Sequence, residues 1–247
     1  MRSPFMLMTA AAFTLSAGLA VAGTPFGADD TGFVPPDKDT AKCEDGVSKE
    51  VSKLGAALLK CNIKDSDDQF KNGGTGSFDG VACQVAARGK YDTKTGALTC
   101  TGPAACVDRP GLRDLTTTLI NLNGGVVFCD SSSGTAQDAP NTGFVPADKE
   151  TQKCEDAIAK SASKLLGAIV KCHIKAADQA LKGKPYNEEA CEQIAMGQYD
   201  LKTFTILECP SCLGAAAQGA LRDLVETLLD GNNVGSYCAS PSGAFLN

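Results

Sequence analysis

Twelve cysteines fall into two sets of six, in the same order and at nearly the same spacing. The first set is Cys43, Cys61, Cys83, Cys100, Cys106 and Cys129. The second is Cys154, Cys172, Cys191, Cys209, Cys212 and Cys238. Other landmarks recur with them. Thr31-Gly32-Phe33-Val34-Pro35 returns as Thr142-Gly143-Phe144-Val145-Pro146. Leu112-Arg113-Asp114-Leu115 returns as Leu221-Arg222-Asp223-Leu224. A period of this size with all six cysteines in register reads as one domain written twice. An even cysteine count in a small exported domain reads as a disulfide framework. All twelve cysteines are therefore assigned to structural bridges, three within each copy.

The start of the chain supports export. Arg2 supplies a positive charge, Phe5 to Leu19 is apolar or small, and Ala20-Val21-Ala22 fits the cleavage rule. The expected organisation is a signal peptide over 1–22, a helical repeat over 30–130, a linker over 131–141 and a second repeat over 142–240. The linker is rich in Ser, Gly and Ala and reads as flexible, so the copies are expected as beads with limited contact. The compartment is periplasmic or extracellular, with no stable membrane insertion.

Helical periodicity is clearest at the head of each copy. Cys43, Val47, Val51, Leu54, Leu58 and Cys61 step by three and four, as do Cys154, Ile158, Ala162, Leu165, Ile169 and Cys172. Asp37 and Asp148 are the expected N-caps, and Gly73 and Gly183 the expected ends. Eighteen residues of helix span about 27 Å, whereas bridged Cα atoms lie within about 7 Å. Cys43 therefore cannot bond Cys61. A second helix from about Asp79 or Asn187 turns back on the first and suggests Cys61–Cys83 and Cys172–Cys191 pairs. The other pairings stay open. Short extended pieces at Ala97 to Thr99 and Phe204 to Leu207 precede a last helix over Gly111 to Leu122 or Gly214 to Leu229. The fold class is all-α, two tandem copies of a small stapled hairpin or bundle.

Function is less legible. Net charge is −6, with no basic tract, so nucleic acid and anionic membrane surfaces are poor partners. Cys209-Pro210-Ser211-Cys212 is the one redox candidate, a CxxC before a helix. The equivalent cysteines in copy one, Cys100 and Cys106, are too widely spaced for that motif. His173 is the only histidine and reads as an exposed polar residue, its counterpart being Asn62. A lone histidine among oxidised cysteines gives no zinc site, so no metal and no cofactor are expected. Asp65, Asp67 and Asp68 lack the glycine and distal glutamate of a calcium loop. Gly73 to Gly76 reads as a turn. Phe33 and Phe144 either pack onto the start of helix one or grip a partner. The leading reading is an exported non-enzymatic binding or structural module whose partner is an unknown protein or a small apolar ligand. The alternatives are a carrier of small apolar ligands, a thiol–disulfide enzyme using Cys209 and Cys212, and a tandem inhibitor.

Overall fold

The computed structural model describes residues 31–138, 140–206 and 209–239. The signal segment expected over 1–22 lies outside these, as does Leu207 of the second extended piece. The described chain is all-helical. It contains α1 (Lys38–Lys71), α2 (Gly80–Gly96), α3 (Arg109–Leu122), the single turn α4 (Gly124–Val127), α5 (Lys149–Leu181), α6 (Glu188–Thr203) and α7 (Ala215–Asn232). Ala97 to Thr99 and Phe204 to Ile206 form no strand. Ala136 with Phe144 is the one isolated bridge among the described residues.

Local chemistry sets the helix boundaries. Asp37 and Asp148 accept from the N–H groups of Thr40 and Thr151, occupying donors that a helix start leaves orphaned. Asp79 and Asn187 do the same for α2 and α6. Gly73 (φ +63°) and Gly183 (φ +64°) adopt the left-handed turn that ends α1 and α5. Asp68, one of the three clustered aspartates, receives the N–H of Phe78 at 2.7 Å and organises the turn into α2. It is a loop cap, with Gly73 and Gly74 supplying the positive φ.

The apolar stripes of α1 and α5 are buried as their spacing requires. Val47, Leu58, Ile158 and Ile169 are each fully enclosed. Each helix packs its own hairpin partner, α2 or α6, on one side and α3 or α7 on another. The two long helices also pack on each other, which the expectation of beads with limited contact did not foresee. Gly55 sits at this crossing, where an added Cβ would lie 2.9 Å from a methyl of Leu166. Ile63 of α1 joins the cluster built on Ile158, Leu165, Ile169 and Tyr199. The core is therefore shared between the two halves of the chain.

Six disulfides close the framework. Cys61–Cys83 and Cys172–Cys191 join each long helix to its hairpin partner, as the antiparallel turn requires. Cys43–Cys100 and Cys154–Cys209 pin the opposite ends of those helices. The last two correct the expectation of three bridges within each copy. Cys106 bonds Cys238, and Cys129 bonds Cys212, so both cross between the halves. The reason is spatial. Phe128-Cys129 and Tyr237-Cys238 follow the last helix of their own copy and fold onto the opposite one, where Phe128 enters the α5 core and Tyr237 enters the cluster with Val34.

The Thr-Gly-Phe-Val-Pro segments follow the same exchange. The N–H of Phe33 donates to the carbonyl of Tyr237, and that of Phe144 to the carbonyl of Phe128, both at 2.8 Å. Val34 and Val145 are buried, while the phenylalanine rings are half-buried. The segment expected to be a flexible linker is held in place. Gln137 N–H donates to Gly143 O, Val145 N–H to Thr135 O, and Ser133 Oγ to Val145 O. Ser/Gly composition signals few packing contacts but does not count such backbone bonds.

Candidate functional site: a cavity at the seam and a buried histidine–carboxylate cluster

Where α1, α3, α5 and α7 meet, they leave a cavity of about 120 Å³. Its wall is apolar, formed by Val51, Leu119, Leu166, Val170, Val225 and Leu229 among others. Ser48, Asn232 and Asn233 contribute polar groups, and His173 reaches its edge. Leu115, also in the wall, is 38% exposed. For scale, an engineered cavity of about 150 Å³ lined by similar side chains stays dry and binds benzene.

His173 is 2% exposed, which corrects the reading of an exposed polar residue. It sits on α5 beside Cys172, on the flank that faces α6 and α7. A helix packed on three sides has no solvent face at such a position, and a stripe of apolar residues reveals only one of those sides. Three carboxylates converge on its Nε2. Glu192 Oε1 lies at 2.9 Å, Asp230 Oδ1 at 3.1 Å and Glu188 Oε1 at 3.9 Å. All four residues are at most 4% exposed. Glu188 and Glu192 come from α6, and Asp230 from the last turn of α7. The backbone of Asp230 is itself held, its carbonyl accepting from both the N–H and Oγ1 of Thr31.

The matching positions in the first half carry a neutral version. Asn62, Gln84 and Asn121 stand where His173, Glu192 and Asp230 stand in the second half. Gln84 Nε2 donates to Asn62 Oδ1 at 3.0 Å and to Asn121 Oδ1 at 2.9 Å. Asn121 Nδ2 donates back to Gln84 Oε1. The carbonyl of Asn121 accepts from Thr142, as that of Asp230 does from Thr31. The same backbone frame thus holds an amide triad centred on Gln84 in one half and an ionisable cluster in the other. Sequence reading missed Glu188, Glu192 and Asp230. The signal lay in comparing the copies, since Asn62/His173, Gln84/Glu192 and Asn121/Asp230 are changes from amide to ionisable group at aligned positions.

The two other sites expected from sequence resolve differently. Cys209 and Cys212 are bonded to Cys154 and Cys129, not to each other, and no cysteine among the described residues is free. A redox CxxC works by closing and opening a bridge within the motif, so these two cysteines act as separate staples. Phe33 and Phe144 are each tied to a different segment that carries a crossing cysteine, Phe33 to Tyr237 and Phe144 to Phe128.

Two further buried acids occupy equivalent places. Glu44 and Glu155 are fully enclosed. Glu44 Oε1 accepts the N–H of Ala239 at 3.0 Å, and Glu155 Oε1 that of Asp130 at 3.3 Å. Each is pushed up to about 8, chiefly by burial, against the partial relief of those backbone N–H groups. Both clasp the residue that follows a crossing cysteine.

The arrangement defines a class: an all-α, cysteine-rich chain whose six disulfides mark an oxidising compartment. No helix among the described residues is long and apolar enough to cross a membrane. No family model, no curated protein and no solved structure matches the chain.

Proposed function

We propose that this chain is an exported binding module in which two copies of one helical unit close on each other, and that the seam cavity holds a small apolar group. The observation that supports this reading is the cavity itself. At the meeting of α1, α3, α5 and α7 the helix stripes leave a cavity of about 120 Å³ with an almost wholly apolar wall. Interiors pack without such voids where nothing opposes closure, and an apolar void costs stability in proportion to its size. Crossing disulfides and the clasps of Glu44 and Glu155 tie the two halves to each other, which favours a wall preorganised for an occupant. The volume suits a ring of about six carbons or the end of an alkyl chain.

The test uses benzene and short alkanes as probes on the folded, oxidised chain, followed by native mass spectrometry and thermal denaturation. One probe bound per chain with a raised Tm is expected. Val225→Phe, which fills the void from α7, is expected to abolish uptake while leaving the fold and the disulfides intact. Uptake unchanged by Val225→Phe would place the probe elsewhere and end the reading.

A protein partner remains a second reading, carried by one patch. Ile194 and Leu201 of α6 and Phe204 at its C-cap are 64%, 76% and 51% exposed and line one shallow apolar surface. Large exposed side chains grouped in this way mark interaction surfaces more often than singly scattered ones do. Leu201→Glu is expected to leave stability within about 0.5 kcal/mol, and to remove any envelope or secreted partner recovered with the parent chain. Recovery of the same partner with Leu201→Glu would exclude the patch.

A further inference from the structure

We propose that His173, Glu192 and Asp230 form a binding site for one divalent first-row transition-metal ion of the zinc class, with Glu188 as a fourth donor. One histidine with cysteines closed into disulfides gives no zinc site from histidine and thiolate donors alone. The tertiary structure supplies carboxylates instead. Nε2 of His173, an oxygen of Glu192 and an oxygen of Asp230 lie within 4.8 Å of one another. For ligands about 2.1 Å from a tetrahedral ion, donor atoms stand about 3.4 Å apart. The observed 2.9 Å, 3.1 Å and 3.9 Å from Nε2 bracket that value.

Charge and hydrogen bonding point the same way. The Nε2 atom carries at most one proton, yet three carboxylate oxygens face it. Oε1 of Glu192, 1% exposed and aimed at the histidine, takes part in no hydrogen bond of good geometry. A divalent ion would give this Glu192 oxygen a directed bond while joining it to Nε2. It would take the Nε2 lone pair, with any proton there released to solvent, and an oxygen from each carboxylate. An imidazole with carboxylates suits zinc, manganese or iron better than calcium, which prefers an all-oxygen shell.

The amide triad of Asn62, Gln84 and Asn121 is the independent argument. It shows that this backbone frame can hold neutral side chains that bond to each other, with only Asn62 Nδ2 left without a bond among the amide groups that join them. The fold does not require charge there, so burying an imidazole and three acids in the second half calls for a separate cause. Access exists as well, since His173 reaches the edge of the seam cavity.

The experiment uses the full oxidised chain, stripped with chelator and titrated with Zn²⁺, then with Co²⁺ for its visible absorption. One ion per chain, a raised Tm and a Co²⁺ spectrum of a mixed nitrogen–oxygen site are expected. The triple variant His173→Asn/Glu192→Gln/Asp230→Asn places at this site the side-chain types of the first half. It is expected to fold with unchanged far-UV circular dichroism and to bind no ion. Glu192→Gln alone is expected to weaken binding by about 100-fold, and it carries the test should the triple variant not fold. Failure of the parent chain to take up either ion, or equal uptake by the folded triple variant or by Glu192→Gln, overturns the proposal. Glu192→Gln, which lies outside the cavity wall, keeps the two tests apart: it is expected to weaken ion binding and leave the uptake of the apolar probes unchanged.

Discussion

After a specific protease cuts a site engineered between Asp138 and Asn141, the two halves are expected to stay together in denaturant and to separate only on reduction. The cause is the pair of crossing bridges. Cys106–Cys238 and Cys129–Cys212 are 132 and 83 residues apart in sequence, and both span the cut. Asp138 and Pro140 are exposed, so the site is accessible. Peptide mapping without reductant is expected to recover the two crossing peptides. Halves that part in denaturant alone would mean that each copy closes its own three bridges. The energetic consequence is also large. By loop entropy, each crossing bridge contributes about 4–5 kcal/mol, with less than the sum for the two because they constrain overlapping spans. Whole-domain stabilities are about 5–15 kcal/mol. Serine at Cys106, Cys129, Cys212 and Cys238 together is therefore expected to lower Tm by about 10–20 °C. Loss of the short-range Cys172–Cys191 bridge, 19 residues apart, should cost less.

Stability is expected to fall as pH rises from about 4.5 to about 8. Glu44 and Glu155 start from an ordinary value of 4.5, and burial pushes both up to about 8 in the folded chain. Below 4.5 both states hold the proton and neither glutamate affects the balance. Between the two values the unfolded chain ionises while the folded chain keeps its proton, so unfolding gains about 1.4 kcal/mol per pH unit per group. Above about 8 both states are ionised and the fall levels off. Asp45, beside Glu44 and bonded to the Tyr237 hydroxyl, is raised to about 6 and steepens the lower part of the window. Asp156, beside Glu155, is raised in the same direction. The capping residues Asp37 and Asp148 are lowered by the N–H groups of Thr40 and Thr151, so their contribution is lost only under stronger acid. Glu44→Gln/Glu155→Gln keeps an acceptor for the N–H groups of Ala239 and Asp130 without the ionisation. Chemical denaturation at pH 5 and pH 8 should show the parent several kcal/mol weaker at pH 8 and the double variant much less changed. Equal pH dependence in the two would show that these glutamates ionise freely and that the clasp is not sealed from water.

Both predictions arise at the seam, and there the two levels of description diverge. The amino-acid sequence by itself determined the local elements. Periodic apolar residues, an Asp or Asn before each of α1, α2, α5 and α6, and Gly73 and Gly183 after the long helices set where those helices begin and end, because such signals act within a few residues. It also determined two bridges. A hairpin returning along α1 or α5 brings Cys83 to Cys61 and Cys191 to Cys172 with no knowledge of the rest of the chain.

Only the tertiary structure decided what crosses. A cysteine reports that it needs a partner, not which of several at similar reach, and the six equivalent positions of two copies make the inner and exchanged pairings alike in sequence. The choice came from packing. Phe128 packs into the α5 cluster of the opposite half, Tyr237 packs with Val34 and donates its hydroxyl to Asp45 of α1, and their neighbouring cysteines go with them. The same exchange turned the linker into a pinned loop and sealed Glu44 and Glu155. His173 was legible as a single histidine and nothing more. Its meaning depends on Glu192, nineteen positions along, and Asp230, fifty-seven along, which only the closure of α6 and α7 onto α5 brings within 3.1 Å.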